Sequence, residues 1–119
     1  MTGVYAADCP ERTVLDHVTS RWGVLVLCAL RDGPKRFYLL RDKIGGISEK
    51  MLSQALRTFV RDGLVAREVA PTVPPQVTYS LTPLGEELAG TLVLLVEWVT
   101  RRMGDIEAAR ERHDAVTDA

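Results

Sequence analysis

A glycine-fenced amphipathic segment that runs straight into two proline-separated β-prone runs constrains this chain more than any other feature. The segment is GGISEKMLSQALRTFVRDGLV, residues 45 to 65. Ser48 stands where a helix N-cap is wanted, since its hydroxyl can accept a hydrogen bond from a free first-turn amide. From Glu49 to about Asp62, the residues Leu52, Ala55, Leu56 and Phe59 recur at helical spacing and make one apolar stripe. Glu49, Lys50, Ser53, Gln54 and Arg57 fall on the opposite side. Gly63 then offers the left-handed residue with which many helices end.

The neighbours of this helix give it a context. LVAREV (residues 64 to 69) and VTYSL (77 to 81) alternate as strands do, and APTVPPQ between them is barred from a strand ladder by its prolines, so it makes a stiffened hairpin tip. Upstream, KRF suits a small strand, and YLLRDKI (38 to 44) reads as a short helix stopped by Gly45 and Gly46. Short helix, glycine turn, polar-faced second helix and β-hairpin make a winged helix-turn-helix, whose second helix enters the major groove of DNA.

Helices are expected on both flanks. One begins near Pro10 and runs to about Thr19 with Val14, Leu15 and Val18 on one side. The next, Trp22 to about Leu30, is apolar nearly all round and should be the buried centre, ended by Asp32-Gly33-Pro34. Thr82 caps and Pro83 opens a last helix, with Glu86 and Glu87 near its positive end. Its stripe of Leu84, Leu88, Leu92, Leu95 and Val99, with Trp98 beside it, is longer than a small winged core can cover, so it is expected to meet a second subunit. The expected fold is therefore α+β, mostly α: a winged helix-turn-helix with extra N- and C-terminal helices forming a dimer interface. Residues 1–119 make a single domain, with N-terminal and core helices over 8–30, helix-turn-helix and wing over 35–81, and a dimerisation helix over 83–116.

Charge agrees with this layout without proving it. The 119 residues carry a formal net charge of -1, yet residues 31 to 68 hold nine Lys/Arg against five acids, and residues 69 to 119 hold four arginines against eight acids. A basic middle and an acidic end suit a binder of a polyanion. On charge alone, an ordinary solvated surface explains them as well. Within the layout, Lys50, Gln54 and Arg57, with Ser53 beside them, are the base-reading candidates, because Gln pairs with adenine and Arg or Lys with guanine. Ser48 and the first helical amides can hold a phosphate. Lys35 and Arg36 suit phosphate clamps, and Arg67, Thr72 and Gln76 suit contacts from the wing to the backbone or minor groove. The partner implied is double-stranded DNA.

Other classes find little in the residues. The longest apolar run, GVLVLCAL, is too short to cross a bilayer, and no basic segment followed by an apolar core opens the chain, so a cytoplasmic protein without a membrane partner is expected. Two cysteines and two histidines show no metal-ligand spacing, and no phosphate loop or nucleophile elbow occurs. No enzyme activity, no metal and no cofactor is expected. Trp22 and Trp98 are candidates either for a ligand pocket between the core and the dimer helices or for plain core and interface anchors.

The chain resembles the HxlR family of bacterial transcription regulators, winged-helix proteins related to the MarR group. The resemblance is carried by CP at 9 and 10, RWGVLVL at 21 to 27, DGPKRF at 32 to 37, GISEKMLSQALR at 46 to 57, DGLVAREV at 62 to 69 and VPPQVTYSLTPLGEEL at 73 to 88. It implies a homodimer on a short inverted-repeat operator, usually a repressor and sometimes an activator. Many members carry an acidic residue where Leu39 stands and a Glu-Leu-Glu-like segment where Thr58-Phe59-Val60 stands, so Leu39 and Val60 add apolar surface near the DNA-binding module.

Cys9 precedes Pro10 at a helix start, where the dipole favours a reactive thiolate, and Arg12 stands one turn away. The resemblance adds that some members sense oxidants, quinones or other electrophiles through this cysteine. Beside that reading stands the plain one, a small residue filling the dimer junction. Cys28, within VLVLCAL, is expected in the core. Three other functions stay open: control by a small-molecule ligand in the dimer junction, a winged-helix protein-interaction module without DNA binding, and a thiol enzyme, which has no resolving cysteine in its favour.

Overall fold

The computed structural model describes residues 3–117. Five α-helices and three short strands follow in the order α1 (Pro10–Val18), α2 (Gly23–Ala29), β1 (Lys35–Arg36), α3 (Phe37–Lys43), α4 (Glu49–Arg61), β2 (Val65–Ala70), β3 (Gln76–Leu81) and α5 (Pro83–Thr117). The strands form one antiparallel sheet with β3 in the middle, flanked by β1 and β2. This is the mostly helical winged helix-turn-helix that the sequence predicts.

The centre is α2, as its apolar composition demands. Val26 and Leu27 are wholly buried, and they join Leu30, Leu40, Leu52, Leu56, Phe59, Val65 and Leu92 in one continuous core. Each such side chain contributes on the order of 1.5–3 kcal/mol by leaving water. The α-helix ends one residue earlier than the apolar run suggests. Leu30–Asp32 tightens into a 3-10 turn because Gly33, at φ 129°, and Pro34 turn the chain toward β1.

The amphipathic segment folds as its pattern requires. Ser48 accepts a hydrogen bond from the Met51 amide at 3.1 Å, and Gly63 takes the left-handed conformation at φ 77° just beyond the end of α4. Leu52, Leu56 and Phe59 face the core. The wing is a hairpin in which Arg67 stands opposite Tyr79 and Ala70 opposite Gln76.

The root of α5 is fastened to the turn between α4 and the wing. The Thr82 hydroxyl donates to the Gly63 carbonyl at 2.6 Å and accepts from the Gly85 amide at 3.0 Å, and the Thr82 amide bonds the Leu64 carbonyl at 3.1 Å. Gly85 packs so tightly on Leu64 that a Cβ there would lie 1.9 Å from the carbonyl oxygen. From this root, 35 residues continue as one helix, of which only Gly85, Ala89 and Leu92 are buried.

Candidate nucleic-acid interface

The face of α4 opposite its core stripe carries Lys50, Gln54, Arg57 and Arg61, all exposed and spaced by three or four residues. Ser53 is half-buried at the flank of this ridge. The apolar back fixes the ridge: with Leu52, Leu56 and Phe59 locked inward, these four residues have no direction left but outward. Ser48, at the start of the helix, is exposed and already bonded to the helix's own amide.

The sheet lies along one flank of α4. Cross-strand partners share a face, so Lys35, Tyr79 and Arg67 stand side by side in a row across β1, β3 and β2. Arg67 is two residues from the buried Val65 and therefore shares its inward face. As a result, Arg67 and Tyr79 meet Arg57, Val60 and Arg61 of α4 around one cavity of about 230 Å³. Arg36 pairs in register with Thr78. At the wing tip, Thr72 is exposed and donates its hydroxyl to the Pro74 carbonyl at 2.8 Å, and Gln76 is exposed at the first position of β3.

The cations of this module fall into two groups. Arg41 pairs with Glu49 and Asp42, and Lys43 with Asp32. The Lys43 ammonium holds the Asp32 carboxyl below the ordinary carboxylate range. Lys35, Arg36, Lys50, Arg57, Arg61 and Arg67 form no ion pair among the described residues. The paired cations anchor α3 to its surroundings, and the unpaired ones lie on the ridge and the sheet.

A model of the family described as HxlR-like helix-turn-helix matches residues 17–107. The chain belongs to that family. This HxlR-like chain is 50% identical over 112 residues to the HTH-type transcriptional regulator YtfH of Escherichia coli strain K12, covering 94% of this chain and 89% of that one. Among solved structures, the transcriptional regulator ytfH of Salmonella typhimurium is 52% identical and superposes with a TM-score of 0.85 over 90% of this chain and 96% of that one. The redox regulator HypR in its oxidised form is 36% identical, with a TM-score of 0.72 over 78% of this chain and 96% of that one. The protein is thus a transcriptional regulator built on a helix-turn-helix.

Within this HxlR-like fold, Cys9 is the N-cap residue of α1 and is half-buried, with a free thiol. Arg12 is bonded elsewhere. The guanidinium turns to the Tyr5 carbonyl at 3.3 Å, while the thiol donates to the Glu11 carboxylate and holds that carboxyl below its ordinary range. Cys28 is also free; it is half-buried, not fully enclosed in the core, and burial raises its thiol above the ordinary value.

The expected dimer stripe divides in two. Leu92, at 6% exposure, belongs to the chain's own core, and Leu88 is half-buried against it, because the first turns of α5 pack across α2. Within the single chain, Leu92 is thus a core residue and Leu88 packs against that core. Leu84, Leu95, Trp98 and Val99 are exposed, and Leu94 and Val96 join them. Trp98 is exposed on α5. Trp22, with Arg21 stacked 5.0 Å above its ring, lines a cavity of about 250 Å³ between α1 and α4 that also includes His17, Gln54 and Phe59. Among the described residues, no group of three or more His, Cys, Asp or Glu is placed to hold a metal, and no single helix is long and apolar enough to cross a membrane.

Arg61, Tyr79 and the His17–Asp62 pair stand outside the residues that the sequence pattern singles out. Arg61 was legible, standing one helical turn beyond Arg57. Tyr79 and Asp62 owe their places to register and tertiary packing, for which a single sequence carries no signal.

Proposed function

We propose that this regulator binds an inverted-repeat operator in double-stranded DNA as a homodimer and represses from it. The observation that carries the reading is the outward ridge of α4, whose cations lack acidic partners among the described residues and whose flank is closed by a wing. Lys50, Gln54 and Arg57 meet the bases, with Ser53 at the edge of the contact. Ser48, Lys35 and Arg36 hold phosphates, and Arg67, Thr72 and Gln76 bring the wing to the backbone or minor groove. The second subunit covers Leu84, Leu95, Trp98 and Val99 on α5, together with their exposed neighbours Leu94 and Val96.

Cys9 gives the regulator its oxidant response in this reading. Two Cys9 thiols, one from each subunit, lose two protons and two electrons to an oxidant such as diamide, which becomes the hydrazine, and an intersubunit disulfide forms. Likeness to HypR, a redox regulator, favours this reading for the present chain. The deciding experiment titrates the purified protein against its own upstream DNA, with and without diamide, for wild type and Cys9→Ser. Release on oxidation by wild type alone is the expected result. If both stay bound, Cys9 is a structural residue.

A second reading is favoured by the cavity beside Trp22. Because Met51, Gln54 and Thr58 of α4 form part of its wall, a small molecule seated there bears directly on the DNA-facing helix. Release of DNA by an effector, blocked in Trp22→Ala and indifferent to Cys9→Ser, selects this control over the redox one.

A further inference from the structure

We propose that Arg57, Arg61, Arg67 and the Tyr79 hydroxyl form a cradle for one backbone phosphate of the bound DNA at the seam between α4 and the wing. The proposal rests on the DNA-binding reading above and changes one role within it: Arg57 becomes a phosphate ligand instead of a base reader. It also adds two residues, Arg61 and Tyr79, to the contact surface.

Convergence is the first observation. The three guanidinium-bearing side chains come from two separate elements, two of them one turn apart on α4 and the third on β2, and all line a single cavity of about 230 Å³. Like charges brought to one place repel, and a fold carries such a group stably when an anion completes it. None of the three has an ion-pair partner among the described residues, although Arg41 and Lys43 in the same module both do.

The second observation is the fixed frame. Arg67 and Tyr79 are direct cross-strand partners in the β2–β3 ladder, and Tyr79 packs on the hydrophobic core, so both positions are set by the sheet. The Tyr79 hydroxyl makes no hydrogen bond among the described residues, and Val60 supplies an apolar wall to the cavity. A guanidinium fork matches two phosphate oxygens, and a neighbouring hydroxyl donates to a third. Lys35, on the other side of Tyr79 in the same row, extends the positive strip along the sheet.

Position selects the source of the phosphate. The cavity opens on the flank of the helix whose ridge carries Lys50 and Gln54, so with that ridge in the groove the nearest anion is the strand bordering the groove. Donors at such a seam set orientation, and sequence is read by the ridge.

The test measures affinity of the full chain for a duplex covering its own upstream region and for an unrelated duplex of equal length, from about 50 to about 200 mM salt. Arg61→Ala and Arg67→Ala are expected to weaken both duplexes by the same factor, about tenfold, and each to lower the salt slope by about one. Arg57→Ala should behave the same way, Tyr79→Phe should weaken both duplexes equally with the slope unchanged, and Gln54→Ala should reduce the preference for the own duplex. Arg61→Lys and Arg67→Lys retain charge at exposed positions and should keep the slope while losing part of the affinity. If Arg61→Ala and Arg67→Ala change neither affinity nor slope while Gln54→Ala loses preference, the cradle is wrong and the DNA reading stands. An Arg57→Ala protein that loses only preference returns Arg57 to the bases and overturns the assignment. A wild type that binds neither duplex overturns both readings. Inorganic phosphate that binds more tightly than DNA, in an Arg67-dependent manner, overturns DNA as the source.

Discussion

His17 Nδ1 lies 2.7 Å from Asp62 Oδ2, which ties the end of α1 to the C-cap of α4 across 45 residues of sequence. Both side chains are partly sheltered, at 31% and 17% exposure. The pair joins α1 to the C-terminal end of α4, beside the cavity that Trp22 lines. A double-mutant cycle with His17→Ala and Asp62→Ala is expected to give a coupling of about 0.5–1.5 kcal/mol in chemical denaturation. Additive single effects would show that the contact holds nothing in place.

Gly85→Ala is expected to destabilise the fold by about 1–3 kcal/mol, since the new Cβ would fall 1.9 Å from the Leu64 carbonyl oxygen and force α5 off its seat. The sign is the test, because alanine normally stabilises a helix interior over glycine by about 1 kcal/mol. Gly90→Ala, in the same helix with nothing within 4 Å of its new Cβ, should stabilise. Thermal melting of the two variants side by side must move in opposite directions.

Cys28 sets an alkaline limit. Burial raises its folded thiol above the ordinary value of 9.0, so the unfolded chain ionises first as pH rises. The stability this thiol contributes is whole below the ordinary value and is lost as pH climbs through the raised one. Cys28→Ala should therefore show a flatter alkaline decline than wild type in denaturant midpoints. Equal declines would remove Cys28 as a source.

Leu92 and Leu95 differ in kind although they share a stripe. Leu92→Ala should cost about 2–5 kcal/mol of folding stability as a core truncation, whereas Leu95, at 51% exposure, should cost little in that respect. Leu95→Glu combined with Trp98→Glu should instead lower the mass seen in sedimentation from dimer to monomer. A folded double variant that sediments like wild type would exclude this face as the dimer contact.

Much of this was legible because local chemistry and tertiary demand agree. Ser48, Gly63, Thr82 and Pro83 mark helix ends by their own backbone and side-chain properties, and each sits where those properties place it. The α4 ridge followed from four apolar residues that can face only one way. Periodicity alone does not divide α5, where Leu88 and Leu92 continue the same stripe as Leu95 and Val99 but α2 reaches only the first part of it. A hydrophobic stripe records that a surface is to be covered and not by which chain. The partner of Cys9 was also hidden, since Glu11 and Arg12 are both near in sequence and only the chain path through Tyr5 draws the guanidinium away.

The fastening of α5 at Thr82 and Gly85 has a mechanical meaning. A helix of 35 residues is a stiff rod of about 52 Å, and its fixed end is the turn that joins α4 to the wing. A swing of about 5° at that pivot carries the free tip by roughly 4.5 Å, so in reverse a displacement of the tip returns to the pivot as a small rotation. The rod is a lever with its fulcrum beside α4 and the wing.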